Sequence, residues 1–156
     1  MASYFFDSSA IVKRQAPETG HAWIRSLCDP LVGNNIVIAE TAIVEVIATF
    51  CRMARENPPR INTTLRDRFI TRFQRQVSNS YRIVQVDRTL YIRAANLCRT
   101  HPLRAFDSLQ LACALTYKEQ AQIVGIEAPI FVCADIHLLN AASAEGFVIE
   151  NPNSHT

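Results

Sequence analysis

Apolar positions along this chain follow two rhythms. Short unbroken runs at 4–6 (YFF), 36–38 (IVI), 83–86 (IVQV), 130–133 (IFVC) and 147–149 (FVI) read as strands, and the fullest of them as strands buried on both faces. Between these runs the apolar residues recur every three or four positions, which predicts helices over 9–14, 20–27, 41–55, 62–78, 88–99, 108–120 and 136–145. Strands alternating with helices imply right-handed crossovers and a mainly parallel sheet covered on both sides. The expected architecture is therefore a three-layer α/β/α domain with about five strands in its central sheet. In such a sheet a ligand site lies beyond the carboxyl ends of the strands.

Carboxylates stand at those ends. Asp7 closes FFDSS, Asp87 follows VQV, Asp107 sits in LRAFDSLQLA and Asp135 in FVCADIHLL. Aspartate is a favoured N-cap, so capping accounts for each of them taken singly, while chemistry at a shared site is the alternative. Asp87, in VDRTL, is a natural cap and is assigned no chemistry. Glu45 is a different case, because TAIVEVIATF around it is almost wholly apolar. Thr41, Glu45, Thr49 and Arg52 form a polar stripe at helical spacing, either one exposed edge of a packed helix or a row aimed at a site.

Composition narrows the classes. The 156 residues suit one domain, and 49% hydrophobic with 19% charged residues is globular. No basic leader or unbroken apolar span marks a signal peptide or membrane helix. Five scattered cysteines without a C-x-x-C pair fit reduced core thiols in a cytoplasmic protein. His21, His101, His137 and His155 lack zinc-site spacing. Ser8 and Ser9 lack a nucleophile elbow, and no D-x-D follows the first strand. The net charge is only +2, but the basic residues are arginine apart from Lys13 and Lys118. In LRDRFITRFQRQV, Leu65, Phe69, Phe73 and Val77 share one helix face and Arg68, Arg72 and Arg75 the other. That arginine face is either a solvated surface or a contact for RNA or a partner.

Taken in order, FFDSSAIVKR, IAETAIVEVIATFCR, LRAFDSLQLACAL and FVCADIHLLNAASAEGFVIENP resemble the PIN-domain ribonucleases, especially the VapC-type toxins of toxin–antitoxin pairs. The resemblance runs from Ser3 to Pro152, implying a PIN domain over 1–152 and a short tail over 153–156. It implies that Asp7, Glu45, Asp107 and Asp135 form one metal site, with Ser9 as a supporting polar residue. The implied cofactor is Mg²⁺ or Mn²⁺, because hard cations take oxygen ligands and relieve repulsion among gathered carboxylates. The implied activity is hydrolysis of an RNA phosphodiester, whether in tRNA, rRNA or mRNA, to a 5′-phosphate and a 3′-hydroxyl. The implied partners are a cognate antitoxin and a second copy of the chain, with the 41–55 helix as a dimer surface. Where the family places a small hydroxyl residue two positions before the last aspartate, this chain has Cys133. The competing expectation is a catalytically weak module that binds RNA or protein through residues 60–82.

Overall fold

The computed structural model describes Met1–Thr156 throughout. Five strands, β1 (Ser3–Phe6), β2 (Asn35–Ala39), β3 (Arg82–Val84), β4 (Ile130–Val132) and β5 (Ile149–Glu150), form one sheet in the order β3-β2-β1-β4-β5. Every pairing is parallel, so the expected α/β architecture is present. Alternation along the strands serves two cores. Phe5, Val37 and Phe131 face one side, and Phe6, Ile38 and Val132 face the other. The first side is covered by α5 (Arg88–Thr100), α6 (Ala105–Ile123) and α7 (Ile136–Ala144). The second is covered by α1 (Ser8–Gln15), α2 (His21–Leu27), α3 (Ala42–Arg55) and α4 (Thr63–Asn79).

Several predicted boundaries move. The third strand stops at Val84 rather than Val86 because the Val86 N–H donates to the Glu40 carboxylate (2.9 Å) instead of to β2. The last strand is confined to Ile149–Glu150, although the Val148 carbonyl before it still accepts from the Phe131 N–H at 2.8 Å. Helix α6 begins at Ala105, three residues earlier than its apolar spacing suggested, which moves Asp107 from the cap into the first turn. Cysteine burial is narrower than expected: Cys113 and Cys133 are buried, whereas Cys98 is exposed and Cys28 and Cys51 are intermediate. No helix is long and apolar enough to cross a membrane.

The chain ends on its own surface. Gly20 precedes α2 at φ 84°, and a β-carbon there would stand 2.2 Å from the Pro152 carbonyl oxygen. Glycine thus admits the short 3-10 turn Pro152–Ser154, after which His155 stacks on Trp23 with ring centres 3.8 Å apart.

What places the site is the strand order. From β1 the chain moves outward through β2 and β3, then returns to add β4 and β5 on the other flank. β1 and β4 therefore border the topological switch point, where side loops diverge and leave a crevice at the strands' carboxyl ends. Asp7 follows β1 there and Asp135 follows β4.

Candidate active site

Four carboxylates from four elements line one cleft of about 680 Å³: Asp7 after β1, Glu45 on α3, Asp107 in the first turn of α6 and Asp135 after β4. The expected set is thus brought together on one concave surface. As the side chains stand, no three His, Cys, Asp or Glu residues are gathered tightly enough to grip a metal ion.

Asp7 is the most enclosed member, 6% exposed. It does cap α1, accepting from the Ala10 N–H at 3.0 Å, as aspartate at a helix start should. Capping and membership of the cleft coexist in one side chain. The Ser9 hydroxyl donates to its Oδ1 at 2.6 Å, and the Cys133 thiol donates to its Oδ2 at 3.1 Å. Burial raises the Asp7 carboxyl above the ordinary carboxylate range, against the lowering effect of these donors. Burial, then the neighbouring Asp7 charge, pushes the Cys133 thiol up as well, so it remains a protonated donor.

Ser9 does more than support Asp7. Its Oγ accepts from the Ala134 N–H at 2.8 Å, pinning the start of α1 to the end of β4. Cys133 makes a second tie, its sulfur accepting from the Asp135 N–H at 3.2 Å. The position that carries a hydroxyl in the family therefore still bridges two of the aspartates here, through sulfur. Asp135 caps α7, its Oδ1 accepting from the N–H groups of His137 (2.8 Å) and Leu138 (3.1 Å).

Glu45 faces the cleft. It is half-buried, and Glu45, Thr49 and Arg52 all line the cavity, while the Thr41 hydroxyl at the start of the stripe is buried without a partner. Burial, followed in smaller measure by the charges of Asp7 and Asp107, raises the Glu45 carboxyl. The donor that holds it was not read from the sequence. Gln110, fully buried one turn beyond Asp107 on α6, donates to Glu45 Oε1 at 2.6 Å and to Ser8 Oγ at 2.9 Å. Spacing to Asp107 was the available signal, since i and i+3 share a helix face. Glu40 lies outside the cleft, bonded to Val86, and Asp87 caps α5 through Leu90 (2.9 Å).

Cations rim the acids. Arg104, 84% exposed along its side chain, reaches Asp107 Oδ2 at 3.4 Å and Asp135 Oδ2 at 3.6 Å. Sequence reasoning passed over it as one arginine among many. Lys13 is buried at the cleft edge, bonded to the Thr19 carbonyl (2.9 Å) and paired with Glu18 (3.4 Å), which Arg60 also approaches. Phe106 sits at the mouth, 46% exposed. Arg68, Arg72 and Arg75 are exposed on α4, and none of them lines the acidic cleft.

Fold and site together define a parallel α/β domain that gathers carboxylates at its switch point. The chain belongs to the PIN-domain family, whose model matches residues 4–121. Its fold is shared with solved structures of low identity. FitAcB from Neisseria gonorrhoeae is 14% identical with a TM-score of 0.60, covering 96% of this chain and 97% of that one. VapBC2 from Rickettsia felis, bound to a promoter DNA fragment, is 11% identical at TM-score 0.61, covering 96% and 98%. VapC20 from Mycobacterium tuberculosis, a Sarcin-Ricin loop cleaving toxin, is 16% identical at TM-score 0.60, covering 93% and 96%. No curated protein matches the chain by sequence.

Proposed function

We propose that the chain is a divalent-cation-dependent endoribonuclease, the toxin of a toxin–antitoxin pair, acting in the cytoplasm. The observation that carries this reading is the convergence of Asp7, Glu45, Asp107 and Asp135 on one cleft from four separate elements. Membership of the PIN family supports nuclease chemistry, and the solved toxin structures of the same fold support the toxin role. PIN-domain limits at 1–152 belong to the same proposal.

The donor set fits Mg²⁺ or Mn²⁺. All four donors are carboxylates; burial raises Asp7, and burial with the charges of Asp7 and Asp107 raises Glu45, costs of ionisation that a hard divalent cation would offset. Asp7, Asp107 and Asp135 would hold the ion, with Glu45 as a further ligand or as the group that orients water. A bound cation would supply an activated water and stabilise charge on the phosphoryl oxygens. Within the chain, Ser9 and Cys133 fix Asp7, and Gln110 fixes Glu45. Arg104 provides countercharge at the rim and a fork suited to a phosphate, while the exposed Phe106 ring offers a face for a base.

RNA cleavage tests the reading: activity should vanish in EDTA and return with Mg²⁺ or Mn²⁺. Cleavage that persists in EDTA would sink it. The second reading, a catalytically weak module that binds RNA or protein, is favoured by one observation, the absence of any tight three-ligand cluster. On that reading no added cation restores cleavage.

Homodimerisation is a separate part of the proposal. The α3 surface first expected for it is largely spent on the core, since Val46, Phe50 and Met53 are buried. Tyr91 and Ile92 on α5, each 56% exposed, are better placed to pair. A monomer mass independent of concentration in light scattering would refute it.

A further inference from the structure

Five arginines with no carboxylate partner surround two adjoining concavities that share no lining residue with the acidic cleft. The larger, about 770 Å³, lies between α1, α2 and α4 and includes Arg14, Arg25 and Arg72. The smaller, about 400 Å³, runs along α4 past Arg68, Arg72 and Arg75. Arg72 lines both and joins them into one groove. None of these five makes an ion pair, whereas Arg60, Arg66, Arg93 and Arg104 all do. The only acids along the groove are Asp29 and Asp67, and Asp67 is already paired with Arg66 at 2.8 Å. At the floor, Arg14 lies over the Tyr81 ring (5.2 Å), and its Nη1 is buried without a hydrogen-bond partner.

We infer that this groove binds the phosphate backbone of the RNA substrate at a distance from the acidic cleft, an inference that rests on the ribonuclease reading. Three features select a polyanion backbone over other occupants. Each cation is an arginine, whose planar fork takes two phosphate oxygens at once. The α4 portion has no apolar lining and the other portion very little, so the groove lacks the apolar centre of a protein interface. No Phe, Tyr or Trp lines it for a base to stack on, and the His21 ring is tied to the Lys13 carbonyl (2.7 Å), so contact runs to phosphates and carries no sequence preference. Selection among RNAs would then fall to the cleft and its rim, with the groove supplying affinity for a strand long enough to reach both.

The test is binding of a labelled single-stranded RNA in EDTA, by fluorescence anisotropy across a range of NaCl concentrations. Arg68→Gln/Arg72→Gln should weaken binding at least tenfold. The slope of log affinity against log salt should fall by about 1.4, two contacts at about 0.7 each on a single strand. Adding Arg25→Gln should take away about 0.7 more. The three side chains are exposed and unpaired, so circular dichroism and melting should match the native protein. Arg88→Gln/Arg99→Gln, the same charge loss on α5, should leave the slope in place. An unchanged slope in the groove variants, while the native protein cleaves RNA with Mn²⁺, overturns this inference alone. An equal fall in the α5 pair overturns it in favour of diffuse attraction. Native binding of poly-glutamate but not RNA reassigns the groove to an acidic protein. Failure of the native protein both to bind and to cleave RNA ends this inference and the ribonuclease reading together.

Discussion

Asp7 shows how much one side chain is asked to do. It caps α1, meets three side-chain or backbone donors and sets its charge against Glu45, all while nearly sealed from water. Its raised carboxyl gives a pH signature whose sign can be worked out. The folded protein holds the proton more tightly than the unfolded chain, so charging Asp7 costs stability. That cost is absent below the ordinary carboxylate pKa, near 4, grows as pH rises toward the raised value and is complete above it. Asparagine caps a helix about as well, so Asp7→Asn removes the cost and keeps the cap. In EDTA the variant should melt higher than the native protein at pH 7, by roughly 2–4 °C per kcal/mol relieved, with the gain fading as pH approaches 4. A lower melting temperature at pH 7 would mean that the charged carboxylate is itself stabilising. Glu45→Gln should abolish or greatly reduce cleavage without unfolding the chain, because an amide oxygen can still accept from Gln110 but is a poorer metal ligand. Glu40→Gln, outside the cleft, should keep most activity in the same cleavage assay. The reverse pattern would show that the wrong acid between β2 and the middle of α3 has been assigned.

Among the elements, α6 contributes most to the site. Its first turn carries Asp107, its next turn carries Gln110, and through Gln110 it restrains α3 and α1 together. Gln110→Met keeps the volume but removes both hydrogen bonds. By analogy with groups that orient metal ligands, it should lower cleavage about 10–100-fold. Steady-state kinetics and Mn²⁺ titration of a folded variant measure it; full activity would reduce Gln110 to packing. Such a residue was hard to find in the sequence. The strands and helices were legible because apolar spacing is imposed by burial, and Asp7 and Asp135 were legible because strand ends are marked. Gln110 carries only its i+3 spacing to Asp107, and a buried glutamine is explained by what it touches. The start of α6 was missed for a related reason: Arg104 at its N-cap makes no side-chain capping bond. Glu45 stood out only as an acid on an apolar helix, and its role in the cleft required the neighbours that α6 supplies.

At the scale of the molecule, charge is divided rather than abundant. Acids collect at the switch point, rimmed by cations, and unpaired arginines lie along α1, α2 and α4, so a net charge of +2 conceals two distinct charged surfaces. The sheet order produces the first, because β1 and β4 lie side by side and an aspartate follows each within three residues. The central claim is that the four carboxylates act as one cation site. Mn²⁺-induced stabilisation, read as melting temperature with and without the ion, tests it most directly across Asp7→Asn, Glu45→Gln, Asp107→Asn and Asp135→Asn. A ligand present at a hundredfold its Kd adds about 2.7 kcal/mol to a folded protein, so the native chain should show a shift of several degrees. Each of the four variants should lose most of that shift, while Glu40→Gln and Asp87→Asn retain it. A native protein whose melting temperature does not respond to Mn²⁺, or a shift that survives in all four variants, would contradict the claim.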